Sequence, residues 1–195
     1  VVGLANGLVT TRLRVPSFIT TLGSLLILEG AVDYWTDGAP KGSLGEDFRT
    51  LGRGGIDDVP WLEQLPWSVV VLVAVAVGAV LLMRSDFGKR LIAVGDNDRA
   101  AGLSGVPVAR TRTIAFVLSG LAAALAGILL GGFAGVSAQV GDGLEFEAIT
   151  AVVLGGVVLG GGRGSVVAAV AGALTLEALF TLLNLLGLSA ALQDG

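Results

Sequence analysis

Residues 146–187 form one long apolar run interrupted near its middle by Gly160-Gly161-Gly162-Arg163-Gly164. That interruption constrains the fold more than any other stretch. Inside a hydrocarbon layer every backbone N–H and C=O needs a partner, so a broken hydrophobic segment must be covered by protein or open onto a watery cavity. Broken helices of this kind sit at the binding or translocation sites of membrane transporters. The expected setting is a membrane domain in which residues 160–164 act as a hinge.

Composition supports the same setting. Charged residues make up 14% of the 195-residue chain and hydrophobic ones 53%, whereas soluble domains carry about 25% charged residues. The chain has no cysteine, so neither a disulfide framework nor a cysteine metal site is expected. It has no histidine, which removes the commonest general base and metal ligand. No catalytic residue, metal site or bound cofactor is expected. The net charge of −4 argues against a nucleic-acid partner.

The predicted fold class is all-α, a polytopic transmembrane helical bundle with one short span, forming a single domain over 1–195. Spans are expected near 16–32, 67–83, 113–133, 146–159 and 164–187. The fourth would be roughly 20 Å long, less than the ~30 Å hydrocarbon core. The chain lacks an initiator Met, and the uncharged Val1–Thr11 is shorter than the ~20 residues a span needs. It is therefore expected to end a span begun earlier, with Gln193-Asp194-Gly195 stopping before another.

Basic residues of short loops face the cytoplasm. Residues 84–112 hold six bases (Arg84, Lys89, Arg90, Arg99, Arg110, Arg112) against Asp86, Asp96 and Asp98. Arg12 and Arg14 precede the first span. Residues 134–148 hold Asp142, Glu145 and Glu147 without a base, and 33–66 hold seven acids against Lys41, Arg49 and Arg53. The loops alternate, placing 84–112 in the cytoplasm and 33–66 outside. Trp35, Trp61 and Trp67 then gather at the outer interface, where amphipathic rings prefer to sit. Small residues four apart (Ser119, Ala123, Gly127, Gly131, and later Gly164, Ala168, Gly172) make ridges that let helix backbones approach closely.

Within the cytoplasmic loop, Gly95-Asp96-Asn97-Asp98 offers helix N-cap residues. Asp98 to Ser104 has room for two turns before Gly105 and Pro107 end them. Such a surface helix is either a docking element or a solvated loop.

Six segments then stand in order: Val15-Pro16-Ser17-Phe18-Ile19-Thr20-Thr21-Leu22-Gly23, Gly88 to Asn97, Ala100 to Val106, Ala151 to Gly156, Gly161-Gly162-Arg163-Gly164-Ser165 and Leu183 to Ser189. Together they resemble the permease subunit of bacterial ABC importers for ribose, xylose and related sugars. The resemblance implies a permease dimer in the inner membrane, two ATP-binding subunits or one tandem ATPase, and a periplasmic or lipid-anchored sugar-binding protein. It implies that Asp96, Asn97, Asp98, Arg99, Ala100, Ala101, Gly102, Leu103, Ser104 and Gly105 form the coupling helix that docks on the ATPase. ATP and Mg would be bound by that partner, since the chain has no G-x-x-x-x-G-K-[ST] phosphate loop. The chain departs from the family at Gly102, usually Arg or Lys, and at Phe180-Thr181-Leu182, usually Asn-Asn-Gly. The stretch before Glu145 is also shorter and lacks the family's proline.

A sugar path would be lined by hydrogen-bonding groups, and the candidates are Thr20, Thr21, Ser24, Thr150, Glu177, Thr181 and Asn184. Glu177 lies near the middle of the last span, where an ionised side chain is costly and tends to face the bundle interior. It is either a path acceptor or a structural partner of Thr175, Thr181 or a neighbouring helix. Glu29 is expected in solvent near the outer interface. Asp142, Glu145 and Glu147 precede a helix start, whose dipole favours acids. The rival readings are a branched-chain amino acid ABC permease, an ion-coupled secondary transporter using Glu177, and a membrane scaffold without transport.

Overall fold

The computed structural model describes residues 1–39, 45–59, 62–135 and 140–186. Lys41, Trp61, the end of the last expected span at Gly187 and Gln193-Asp194-Gly195 lie outside the described residues. In chain order the elements are α1 (Val2–Arg12), α2 (Ser17–Thr36), α3 (Glu46–Arg53), β1 (Gly55–Val59), β2 (Leu62–Pro66), α4 (Trp67–Arg84), α5 (Asp86–Asp96), α6 (Asp98–Leu103), α7 (Val108–Ala134), α8 (Leu144–Leu154) and α9 (Val166–Leu185).

Three helices, α4, α7 and α9, are long and apolar enough to cross a membrane. Helix α2 is as long, but it carries Glu29 and Asp33 and is not among them. The most apolar windows of the three are 0%, 0% and 11% buried. Among the described residues the buried apolar side chains are Val94, Ala101 and Ala151. Leucine, isoleucine and valine are ordinarily hidden from water, so faces this apolar belong against lipid or other protein. The chain is an all-α, membrane-embedded protein.

The stretch 33–66, read from sequence as a loop, contains α3 and an antiparallel strand pair. The pair aligns Gly55 with Pro66, Ile56 with Leu65, Asp57 with Gln64 and Val59 with Leu62. Helix α7 begins at Val108, before the expected 113, and takes Arg110 and Arg112 into its first turns. Helix α8 stops at Leu154, short of the expected 159, because Gly155 and Gly156 terminate it.

The chain forms two compact units, with boundaries inside α4 and α6. In the first (Val1–Val75 with Ala101–Asp142) α7 is the central element. A Cβ on Gly7 of α1 would lie 2.9 Å from Cα of Thr113, so these helix backbones nearly touch. Thr11 and Thr113 hydroxyls lie 3.3 Å apart across the same seam. The Arg53 Nε donates to the carbonyl of Phe133 at 2.9 Å, tying α3 to the far end of α7. The contact face of α7 thus runs through Thr113, Phe116 and Gly120. Of the expected ridge, Ser119, Ala123 and Gly127 are exposed within this chain, and Gly131 is half-buried, with a Cβ there 3.9 Å from the Phe48 ring of α3.

The second unit takes Ala76–Ala100 and the described residues from Gly143 onward. Here α8 and α9 fold back on each other as an antiparallel hairpin. Gly172 of α9 meets Ala151 and Gly155 of α8, and Gly155 meets Ala168. The ridge Ala168, Gly172 therefore packs directly on α8. The interruption at 160–164 is a reversal of chain direction.

Candidate functional site

Helix α5 shows how the sequence builds the site. Ser85 is the sole residue between α4 and α5, and its Oγ donates to the Leu82 carbonyl at 2.6 Å, closing the corner. Along α5, Gly88 and Val94 are buried and Phe87, Leu91 and Gly95 are half-buried, while Lys89, Arg90, Ala93 and Asp96 are exposed. Spacings of three, four and seven give one inward stripe, the signature of an amphipathic helix. Lys89 pairs with Asp86 at 3.3 Å on the exposed face.

The stripe ends at Gly95, and there α5 meets the turn of the α8–α9 hairpin. A Cβ on Gly95 would lie 2.5 Å from the amide nitrogen of Gly162. One on Gly161 would lie 2.9 Å from Cα of Gly95, and one on Gly162 2.7 Å from Cα of Asp96. Distances under 3 Å leave no room for a side chain. Gly161 (φ +91°) and Gly162 (φ +77°) also hold left-handed backbone, which residues with a Cβ adopt at a cost.

The turn is built by local rules. Gly156, at φ +78°, donates to the Val153 carbonyl at 2.8 Å, and Val157 donates to Val152 at 3.1 Å. This is the Schellman pattern that ends a helix at glycine. The loop is then pinned by the Val158 amide donating to Arg163 at 3.1 Å and the Gly161 amide donating to Val158 at 2.9 Å. Ser165 restarts the helix: its Oγ accepts from the Ala168 amide at 3.1 Å, a standard N-cap.

A cavity of about 330 Å³ opens beside this seam. Met83, Leu91, Ile92, Val152 and Val158 give it apolar walls, and Gly95, Gly161, Gly162 and Arg163 border it. The Arg163 side chain is exposed.

The expected helix after Asp98 is α6, Asp98–Leu103. The Ala100 amide donates to Asn97 Oδ1 at 3.0 Å, capping the helix. Gly105, at φ +83°, follows its end. Asp96, Asn97, Asp98, Arg99, Ala100, Gly102, Leu103, Ser104 and Gly105 are exposed and Ala101 is buried. Gly102 is open enough that a Cβ there would meet only the Val108 side chain, at 3.7 Å.

The polar candidates along the helices fall elsewhere. Thr20, Thr21 and Ser24 belong to the first unit, and Thr150, Glu177, Thr181 and Asn184 to the second. Thr20 Oγ1 donates to the Pro16 carbonyl at 3.2 Å. Thr21 bonds Ser17 and Phe18 carbonyls at 3.1 Å, and Thr150 bonds Phe146 at 2.8 Å. These hydroxyls satisfy themselves on the preceding helical turn, as mid-helix Ser and Thr commonly do. Ser24 Oγ instead donates across to Asn6 Oδ1 of α1. Glu177, Thr181 and Asn184 are exposed on α9. Glu177 makes no hydrogen bond or ion pair among the described residues, and Thr175 bonds Ala171 at 2.7 Å. None of these seven residues lines the cavity. Glu145 and Glu147 do fall in the first turn of α8. Among the described residues no three acidic, histidine or cysteine side chains converge to hold a metal ion.

Sequence reasoning saw Gly161–Gly162 and Gly95 as separate motifs and missed that they touch. It also missed the cavity between α5 and the turn. A glycine cluster at 160–164 and a lone Gly95 before Asp96-Asn97-Asp98 were the visible signal, but nothing linear pairs residues 66 positions apart.

Comparison with known proteins shows the family of the chain. A family model described as the branched-chain amino acid transport system permease component matches residues 1–194. The chain is 38% identical over 191 residues to the ribose import permease protein of Bacillus subtilis (strain 168), covering 96% of this chain and 58% of that protein. It is 40% identical over 196 residues to the autoinducer 2 import system permease protein of Klebsiella pneumoniae subsp. pneumoniae, covering 98% and 55%. It is 39% identical over 186 residues to the L-arabinose transport system permease protein of Escherichia coli (strain K12), covering 94% and 55%. The chain therefore spans somewhat over half the length of these relatives. No solved structure matches it significantly. On the family model, which matches nearly the whole chain, the chain belongs to the permease-component family of the branched-chain amino acid transport system.

Proposed function

We propose that the chain is part of the membrane-spanning subunit of an ATP-binding-cassette importer that carries a monosaccharide of the ribose or arabinose kind across the bacterial inner membrane. The observation that carries this reading is similarity over nearly the whole chain to permeases named for ribose and L-arabinose. The exposed, Asn97-capped α6 supports a docking role for residues 96–105. In this reading residues 84–112 face the cytoplasm and 33–66 the outside. A partner subunit binds and hydrolyses ATP with Mg, a sugar-binding protein delivers the substrate, and a second permease copy completes the passage. Thr20, Thr21, Ser24, Thr150, Glu177, Thr181 and Asn184 are the candidate path residues.

The family description itself favours one alternative, a branched-chain amino acid as substrate. The full-length gene, expressed with its neighbouring ATPase and binding protein, separates the readings by uptake of labelled ribose, xylose, arabinose and leucine. A proton uncoupler is added at constant ATP. Sugar uptake that survives the uncoupler and stops with a hydrolysis-dead ATPase is expected. Leucine uptake alone would move the substrate class. Uptake abolished by the uncoupler would replace the ATP-driven mechanism with ion coupling.

A further inference from the structure

We infer that the backbone seam between Gly95 and Gly161–Gly162 is a rigid strut through which α6 drives the α8–α9 hairpin during transport. The inference rests on the proposal that residues 96–105 dock on an ATP-hydrolysing partner. It adds which residues pass the motion on, and to which element.

Three observations carry it. The first is that the contact is backbone against backbone, with the Cβ of Asp96 as the one side-chain atom beside Gly162. A Cβ on Gly95, Gly161 or Gly162 would lie between 2.5 and 2.9 Å from backbone atoms across the seam. Side chains absorb small displacements by changing rotamer, whereas two backbones in contact cannot, and close-packed interiors transmit strain. The second is position. Asp96 touches Gly162, and its neighbour Asn97 holds the first turn of α6 through the Ala100 amide. One capped residue therefore joins the seam to the helix. The third is the stiffness of what lies behind it. Gly162 belongs to a turn pinned by the Val158–Arg163 and Gly161–Val158 backbone bonds. Both arms of that turn touch at Gly155, Ala168 and Gly172. A push on α6 reaches a hairpin that moves as one piece.

On the other side, α5 offers a firm abutment. Gly88 is buried directly against the Met83 backbone at the α4–α5 corner. The inward stripe Gly88, Leu91 and Val94 runs from that corner up to Gly95.

The test uses the full-length permease assembled with its ATPase and binding protein in liposomes, with labelled D-ribose as probe. Gly95→Ala and Gly162→Ala are compared with Gly78→Ala, a position with nothing within 4 Å. Assembly, ATP hydrolysis and uptake are each measured per assembled complex. The expected result is uptake reduced about tenfold in the seam variants while hydrolysis stays within about twofold, a loss typical of coupling between sites. Gly78→Ala should resemble wild type. Gly161→Ala, entering from the hairpin side, should give the same split.

Uptake unchanged per complex in the seam variants would overturn the strut. So would hydrolysis and uptake falling in proportion, or none of the three variants assembling, since the seam would then be only an element of the fold. Wild-type complex without ATP-dependent ribose uptake would instead overturn the transport reading on which the strut rests. That failure is recognisable because it appears before any variant is made.

Discussion

Gly172 of α9 lies against Ala151 of α8 so closely that a Cβ on Gly172 would overlap the Ala151 carbonyl and come within 2.6 Å of the Gly155 amide nitrogen. In lipid, helix association gains little from hydrophobicity and depends on such close van der Waals packing. Gly172→Ala should therefore destabilise the hairpin, because no rotamer can relieve an overlap with backbone. Overpacking of this kind costs about 1–3 kcal/mol. Thermal unfolding of the detergent-solubilised full-length protein checks it. The midpoint should fall for Gly172→Ala and stay for Gly78→Ala, and equal midpoints would show that α8 and α9 have slack.

The hydrogen bond from Ser24 Oγ to Asn6 Oδ1 ties α2 to α1 and suggests a second measurement. Inter-helix polar pairs in membranes average about 0.6 kcal/mol and reach about 1.7. A double-mutant cycle on Ser24→Ala and Asn6→Ala should give a coupling energy within that range. Unfolding across a detergent titration supplies the four free energies. A coupling of zero would mean that Ser24 is available to a substrate and is not committed to α1.

Much of the fold was legible because its rules are local. Uncharged runs marked α4 and α7, and a run with Glu177 as its single charge marked α9, since a helix that must satisfy its own backbone in lipid tolerates few charges. The Gly155–Gly156 stop and the Ser165 cap obey local rules as well, but they were not read, and the short span was expected to run on to 159. Residues 33–66 were not legible: α3 is short, and the strand pair lacks the strict alternation that announces one. The stripe of α7 that meets α1 was not singled out: Thr113, Phe116 and Gly120 face α1, beside the ridge of Ser119, Ala123, Gly127 and Gly131, and composition does not say which stripe meets which helix. The hidden part of the site is its pairing. Gly162 was read as part of a hinge and Gly95 as part of a cytoplasmic loop, and only the reversal of the chain at 160–164 brings them together.

Asn97 offers a test of docking that leaves the seam intact. Its Oδ1 satisfies the Ala100 amide at the start of α6, and losing an N-cap acceptor costs about 1 kcal/mol. In a helix of only six residues such a loss weighs on the whole element, so Asn97→Ala should fray its first turn. Asn97→Asp keeps an acceptor and should behave like wild type. In the assembled importer, ATPase co-purification and ATP-driven uptake should both fall for Asn97→Ala, by about fivefold if that cap free energy enters docking directly. Equal behaviour of the two variants would remove α6 from the interface.

Glu177 decides between two energy sources. It stands exposed on α9 with no hydrogen bond or ion pair among the described residues, four positions before Thr181. A carboxylate in that setting accepts hydrogen bonds from a polyol, carries a proton, or serves as a structural partner for a neighbouring helix. Gln keeps the shape and the acceptor oxygen but cannot exchange a proton. If ATP drives transport, Glu177→Gln should retain uncoupler-resistant uptake. Its KM should rise by up to about tenfold, equivalent to one weakened charge-assisted hydrogen bond of about 1.5 kcal/mol. If a proton drives transport, the same variant should lose accumulation altogether while still equilibrating substrate. Measuring the accumulation ratio together with KM separates these outcomes, because affinity alone could fall in both.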